Sequence, residues 1–411
     1  MNETGMNETA RVRRLLGEPP PPSADASARA LAMLEDAMAS GGGRVRSPGT
    51  GLRRFGWPVR LGAGLVAAGA AAAVAIVATG QSPPGSSPGA PPGSVDLGKQ
   101  AVLVAADKAA EQPTGNYWSA ERISGQAYVV RAKTGTYAIF GAHDETFNWT
   151  GARKGMGEAY YARDLPARPQ TPRDEALWRR AGSPSAIRVW SNDHYYTYTT
   201  KASKWRSEGP EVGVDPKGGG MFLDKSVEEL RNLPTDPVKL AEMFLSDDLM
   251  AASGADPKPS SKKRMAELLQ TRPDLIPGLK IMRASALLGT PVPPKVRSGL
   301  MKALAAQPGV HAVGRVTDPL GRPGVALAAG ERTSTITGEY GAPKAEQGTY
   351  RSRQEIVFDE RTGALLSRQD VLTEPGGPYA QMKPGFVIEY QAVRSSGWTD
   401  AKPKPPAELP F

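Results

Sequence analysis
The longest apolar run in the chain is "LGAGLVAAGAAAAVAIVATG", residues 61–80, which holds no charged residue. At about 1.5 Å per residue, roughly twenty residues cover about 30 Å, the hydrocarbon thickness of a bilayer. Arg44, Arg46, Arg53, Arg54 and Arg60 precede the run, and no Lys or Arg follows it until Lys99. This asymmetry predicts one transmembrane helix over 57–80, with the N-terminal side in the cytoplasm and the rest of the chain outside. Trp57 stands where an interfacial aromatic would. A buried core helix suits the flanks less well, because Arg residues precede the run and Pro, Gly and Ser follow it. A cleaved signal peptide suits them less well too, since no A-x-A site follows. Ala63, Ala67, Ala71 and Ala75 recur every fourth position, as a helix–helix face would, although an Ala-rich run also scatters them by composition.

Residues 1–56 carry two short helical patterns split by "EPPPP", and the second has the apolar stripe Leu31, Leu34 and Met38. A stripe with no core to bury it predicts a cytoplasmic segment that orders on a protein partner. The duplicated "MNET" at the start is compatible with Met6 as the first residue. Residues 81–96, nearly all Pro, Gly and Ser, read as an extended linker. From 97 to 400 the period changes twice. "DLGKQAVLVAADKAAEQ" predicts an amphipathic helix with Leu97, Ala101, Val104 and Ala105 on its apolar face. "NYWSAERISGQAYVVRA" and "GTYAIF" read as strands, and "TPRDEALWRRAG" as a short helix with Pro172 in its first turn. "AIRVWSNDHYYTYTT" reads as a hairpin turning at Asn192-Asp193, with Tyr196 and Tyr198 on one face. Five segments from "SVEELRNL" to "PPKVRSGLMKALAAQ" carry helical spacing. Strands then return: a hairpin around "TDPLGRPG", another around "DERTG" with Ile356 and Phe358 on one face, and a last strand alternating Phe386, Ile388 and Tyr390. Strands, helices and strands again predict an α+β domain with a mostly antiparallel, curved sheet. Residues 401–411 read as a loose tail.

Composition narrows the chemistry. None of the 411 residues is Cys, which removes disulfides, thiol catalysis and thiolate metal sites. The net charge of +9 is spread thinly along the chain and does not form the clustered basic face of a nucleic-acid binder. The three histidines, His143, His194 and His311, are far apart, and none has a second His or a Cys at ligand spacing. His143 is followed by Asp144 and Glu145, the one local group with metal-donor chemistry, and a solvated loop is the plainer reading. Lys133-Thr134-Gly135 and Ser260-Ser261-Lys262-Lys263 match fragments of penicillin-interacting enzymes, but in reversed chain order and without S-D-N. Asn148 begins an N-x-T sequon. No catalytic, cofactor-binding or metal-binding residue is assigned, and no cofactor is expected.

Several stretches in order resemble a large family of uncharacterised single-pass membrane proteins of actinobacteria. They are "VRRLLGEPPPPSADASARALAMLEDA", "GNYW" at 115–118, "TPRDEALWRRAGSPS", "NLPTDPVKL", "GRVTDPLGRPGVAL", "FDERTGALL" and "SSGWTD". In layout the family is similar to anti-sigma regulators, which implies a sigma factor as the partner of residues 1–56. With no Cys, and no His before His143, a zinc-binding anti-sigma module is excluded. The "DERTG" hairpin faintly resembles the half-barrels of lipoprotein carriers and of lipoprotein-binding sensors. The resulting expectation is a non-enzymatic sensor or binding protein, anchored in the cell membrane and lipid bilayer, that takes an unknown envelope ligand and regulates an envelope response. A surface module that binds lipid or peptide without signalling is the alternative.

Overall fold
The computed structural model describes residues 96–191, 193–207, 214–215, 221–223, 225–252 and 259–411. The helices are α1 (Leu97–Ala110), α2 (Pro172–Arg180), α3 (Val227–Arg231), α4 (Pro237–Phe244), α5 (Asp247–Ala252), α6 (Pro259–Thr271), α7 (Ile276–Leu288) and α8 (Pro294–Ala305). The long strands are β1 (Tyr117–Ala132), β2 (Gly135–Gly151), β3 (Glu158–Asp164), β5 (Ala186–Ser191), β6 (His194–Thr199), β11 (Val310–Thr317), β12 (Pro323–Ala329), β13 (Arg332–Ile336), β14 (Gly348–Phe358), β15 (Leu365–Glu374) and β16 (Val387–Thr399). Two-residue strands fill the remaining numbers: β4 (Arg168–Pro169), β7 (Arg206–Ser207), β8 (Val214–Asp215), β9 (Met221–Phe222) and β10 (Lys225–Ser226).

The main sheet runs β11-β12-β14-β15-β16-β1-β2-β3-β7, and every pairing is antiparallel. Its first and last long strands, β1 and β16, are neighbours in the middle, paired from Tyr117–Thr399 to Gln126–Glu389. The sheet therefore closes only when chain separated by more than 250 positions meets. Bulges at Arg394, Thr373 and Ile388 interrupt the ladders. The one at Ile388 breaks the alternation expected for Ile388 and Tyr390. Ile388 packs with Tyr350 and Leu372, and Tyr390 packs with Ile123 and Phe140.

One face of the sheet, the helix face, carries two apolar covers. At the β12–β14 end, α1, α4, α7 and α8 enclose the largest core, where Leu240, Ile281, Leu287, Leu300 and Leu304 meet Val325, Leu327, Ile356 and Phe358. At the β2 end, α2 and the separate β5–β6 hairpin pack Leu177, Ile187 and Val189 on Tyr128, Tyr137 and Ile139. Helix α2 starts as its sequence reads: Thr171 and Asp174 form a reciprocal capping box, with Pro172 at the first helical position. In α1 the buried stripe is Val102, Ala105, Ala106 and Ala109, while Leu97 and Val104 are 77% and 46% exposed. The stripe is thus rotated from the expected one, because small Ala side chains let α1 lie close to α8 and to the "DERTG" turn. A Cβ on Gly363, at φ +67°, would stand 2.1 Å from the Ala105 carbonyl.

The expected single-pass membrane architecture is corrected. A spanning helix needs about twenty apolar residues, and the longest described helix, α1, has 14. No helix among the described residues is long and apolar enough to cross a membrane. The 57–80 span itself lies outside the described residues, as do the 1–56 docking segment and the linker to residue 95. Without a spanning helix, the membrane anchor, its lipid-bilayer partner and the cell-membrane location with cytoplasmic N-terminus have no structural support.

Candidate functional site
Cross-strand partners share a face of a sheet, so the register itself defines what lies between the two apolar covers. One row runs Gln354–Asp370–Glu389–Gln126–Gly141 across β14, β15, β16, β1 and β2. The row beside it runs Ile356–Arg368–Gln391–Ser124–Asp144. The centre of the helix face is thus a polar strip, set where an α+β sheet ordinarily buries aliphatic side chains.

The strip is largely withdrawn from water: Gln354, Gln126, Asp370 and Arg368 are buried, while the Glu389 side chain keeps 38% of its exposure. Its charges are matched. Arg332 Nη2 donates to Asp370 Oδ2 at 3.2 Å, and Ser352 Oγ donates to Asp370 Oδ1 at 2.7 Å. Arg368 Nη2 stands 3.7 Å from Glu389 Oε1. Gln354, Arg368, Gln369, Asp370, Glu389 and Tyr390 line a tight crevice at this point of the sheet. Toward β5–β6 the strip ends in a hydroxyl cluster, where Tyr128 Oη bonds Gln126 Oε1, Ser191 Oγ and Tyr198 Oη at 3.0–3.1 Å. Burial, first of all, raises the Tyr128 phenol above its ordinary range, so it stays a neutral donor. Gly141 leaves room for this pair: a Cβ there would lie 2.7 Å from Tyr198 and 2.9 Å from Tyr128.

On the helical side two guanidiniums, Arg297 buried and Arg122 part-buried, close the end of α7. Arg122 donates to the Gly289 carbonyl and, at 2.7 Å, to Asn148 Oδ1. Arg297 donates to the Leu288 carbonyl at 2.5 Å and lies over the Trp118 ring. Cations suit a helix C-terminus, where carbonyls point outward. Desolvation lowers both guanidiniums, Arg297 to about 10.

The opposite face holds what the local pattern around His143 brings together. His143 is buried, with Nδ1 at 2.9 Å from the Pro166 carbonyl and Nε2 at 2.9 Å from Tyr390 Oη. Desolvation brings it down to about 4, against the Pro166 hydrogen bond and helped by Arg168, so it is a neutral imidazole. Asp144 points to the other face, so His143, Asp144 and Glu145 do not converge on one ion. Among the described residues no three His, Asp or Glu side chains form a metal-binding group. Glu145 instead meets Arg163 Nε at 2.5 Å, and Arg394 holds the neighbouring Glu121 at 2.7 Å. Burial first, and then the Glu121 carboxyl, push Glu145 up to about 7 despite the Arg163 contact.

The other sequence candidates are scattered. His194 lies at an exposed hairpin beside Asp193, and His311 on β11. Lys133-Thr134-Gly135 makes the β1–β2 turn, and Ser260–Lys263 lies in α6. Asn148 is inside β2 with Thr150 buried, so the sequon is not a surface loop. Sequence reading passed over the strip itself. Its signal was the pair of polar tetrads Ser352-Arg353-Gln354-Glu355 and Ser367-Arg368-Gln369-Asp370, the first followed by Ile356-Val357-Phe358 and the second flanked by Leu365-Leu366 and Val371-Leu372. No family model matches the chain, and no curated protein or solved structure matches it either.

Proposed function
We propose that this chain is a recognition module whose ligand site is the polar strip on the helix face of the sheet. The observation that carries the reading is the row Gln354, Asp370, Glu389 and Gln126, two carboxylates flanked by amides, with Arg368 beside it. A guanidinium offers a two-pronged donor to a carboxylate, and the two acids offer acceptors to an ammonium. Side-chain amides serve either. The ligand class that satisfies all of them is a small zwitterion, such as an amino acid or dipeptide. The reading is of binding rather than catalysis, because Asp370 and Glu389 each face a guanidinium, those of Arg332 and Arg368. A regulatory role would add a protein partner that reads occupancy. Residues 1–56, with the Leu31, Leu34 and Met38 stripe, are the segment suited to one.

Thermal unfolding of the full chain against a panel of amino acids and dipeptides tests the proposal. A true ligand at a hundred times its Kd adds about 2.7 kcal/mol to stability. The shift should vanish in Arg368→Gln, which removes the guanidinium, and in Glu389→Gln, which keeps the side chain's length and removes its charge. Failure of every zwitterion to raise the melting temperature, or equal shifts in both variants, would overturn the proposal.

A further inference from the structure
Residues 401–411, expected to be loose, have no regular secondary structure, yet they are held along the face of the sheet opposite the helices. The sequence there, "AKPKPPAELPF", is four-elevenths proline. An extended Pro-rich segment has no internal hydrogen bonds, so its carbonyls need outside donors. Here side chains provide them. Trp205 Nε1 donates to the Pro406 carbonyl at 2.7 Å, and Arg163 donates to the carbonyls of Ala407 and Glu408, at 3.3 and 2.5 Å. The ends are clamped by rings. Lys402 Nζ lies 4.6 Å from the Trp149 ring centre. Phe411 stacks on His143 at 5.2 Å, and the Arg168 guanidinium carbon lies 3.5 Å from the Phe411 ring centre. Pro403, Pro405, Pro406 and Pro410 are half-buried, whereas Lys402, Lys404 and Leu409 are exposed.

We propose that this face is a docking groove for an extended proline-rich peptide, and that residues 401–411 are its occupant in cis. Three features separate the contact from ordinary core packing. Its carbonyls are read by a tryptophan N–H and an arginine, the means by which aromatic-lined grooves take polyproline segments. The segment adds no strand to the sheet, although among the described residues β3 beside it is paired on its outer side only by the two-residue strands β7 and β8. Finally, Leu409 and Phe411 remain 40% and 47% exposed, so the segment is laid on the surface and not sealed into it. Two contacts within the groove do not involve its occupant. Glu145 fixes the Arg163 side chain from below, and the Trp205 ring lies 4.3 Å from the Arg163 guanidinium carbon. The partner is therefore a proline-rich segment of another protein, with a basic residue at one end and an aromatic nine positions later, competing with the chain's own copy.

The test inserts a specific protease site between Asp400 and Ala401 of the full chain and cuts it after folding. A labelled AKPKPPAELPF peptide, tagged at its Ala401 end, is then followed by fluorescence anisotropy. The cut protein should bind the peptide saturably. The uncut protein should bind it at least about tenfold more weakly, because a tethered occupant competes at high effective concentration. Trp205→Phe, which keeps a ring and removes the N–H, should weaken binding about five-fold, the loss of one neutral hydrogen bond. A scrambled peptide should not bind. Loss of folding on cutting, equal binding by cut and uncut protein, or equal binding of the scrambled peptide would each overturn the proposal.

Discussion

Asp370→Asn probes the strip most directly. The substitution keeps size and one acceptor oxygen, so Ser352 Oγ retains a partner. What is lost is the charge opposite Arg332, whose side chain is only 6% exposed. Removing one member of a buried ion pair costs about 3–5 kcal/mol, because the surviving charge stays desolvated. Glu389, the next carboxylate in the same row and partly open to water, compensates in part, which places the expected cost near the lower end, about 3 kcal/mol. A domain stable by about 5–15 kcal/mol survives that loss, so the variant should fold and its urea midpoint should drop. Arg332→Met should cost a similar amount. The double variant Arg332→Met/Asp370→Asn, which leaves no unpaired charge, should cost less than the two singles together by at least about 1 kcal/mol. Urea unfolding followed by tryptophan fluorescence measures all three. Singles within about 0.5 kcal/mol of the parent, or strictly additive effects, would refute a desolvated pair at the centre of the strip.

Further tests follow from other parts of the fold. Between pH 4.5 and about 7 the folded chain keeps a proton on Glu145 that the unfolded chain has released, so this group lowers stability as pH rises through that window and contributes no further change above it. Glu145→Gln removes the effect, and the parent-minus-variant stability should fall with pH by at most about 1.4 kcal/mol per unit; a flat difference would sink the assignment. His143, brought down to about 4 from 6.5, acts with the opposite sign: its stabilisation is complete above pH 6.5 and is lost as pH falls toward 4. Its imidazole signals in NMR should show no protonation at pH 6. Gly363→Ala should destabilise by at least about 1–2 kcal/mol, since the new Cβ adds positive-φ strain to its collision with the Ala105 carbonyl. A neutral thermal melt would show that α1 is not seated on that turn. Leu300→Ala, at a fully buried position of α8, should cost about 2–5 kcal/mol by calorimetry or urea.

Much of the local structure was readable because its causes are local. Thr171, Pro172 and Asp174 specify where α2 begins, since capping needs only neighbouring atoms. The "TDPLGRPG" turn closes with Gly321 N–H on the Asp318 carbonyl, as Pro319 at its second position implies. Ile356 and Phe358 share the core face because strand period is a backbone property. Lack of Cys excludes thiol chemistry in any fold.

Tertiary structure decided what pairs with what, and so the site. Gln354, Asp370, Glu389 and Gln126 come from four strands of two distant parts of the chain, and only the β14–β15–β16–β1 register places them in a row. Ladder register depends on long-range burial, which periodicity within one strand does not contain. The same limit applies to α1, whose buried stripe was set by the close approach of α8 and the Gly363 turn. It applies also to residues 401–411, where composition suggests a loose end because it omits the donors, Trp205 and Arg163, that await those carbonyls more than 190 positions away.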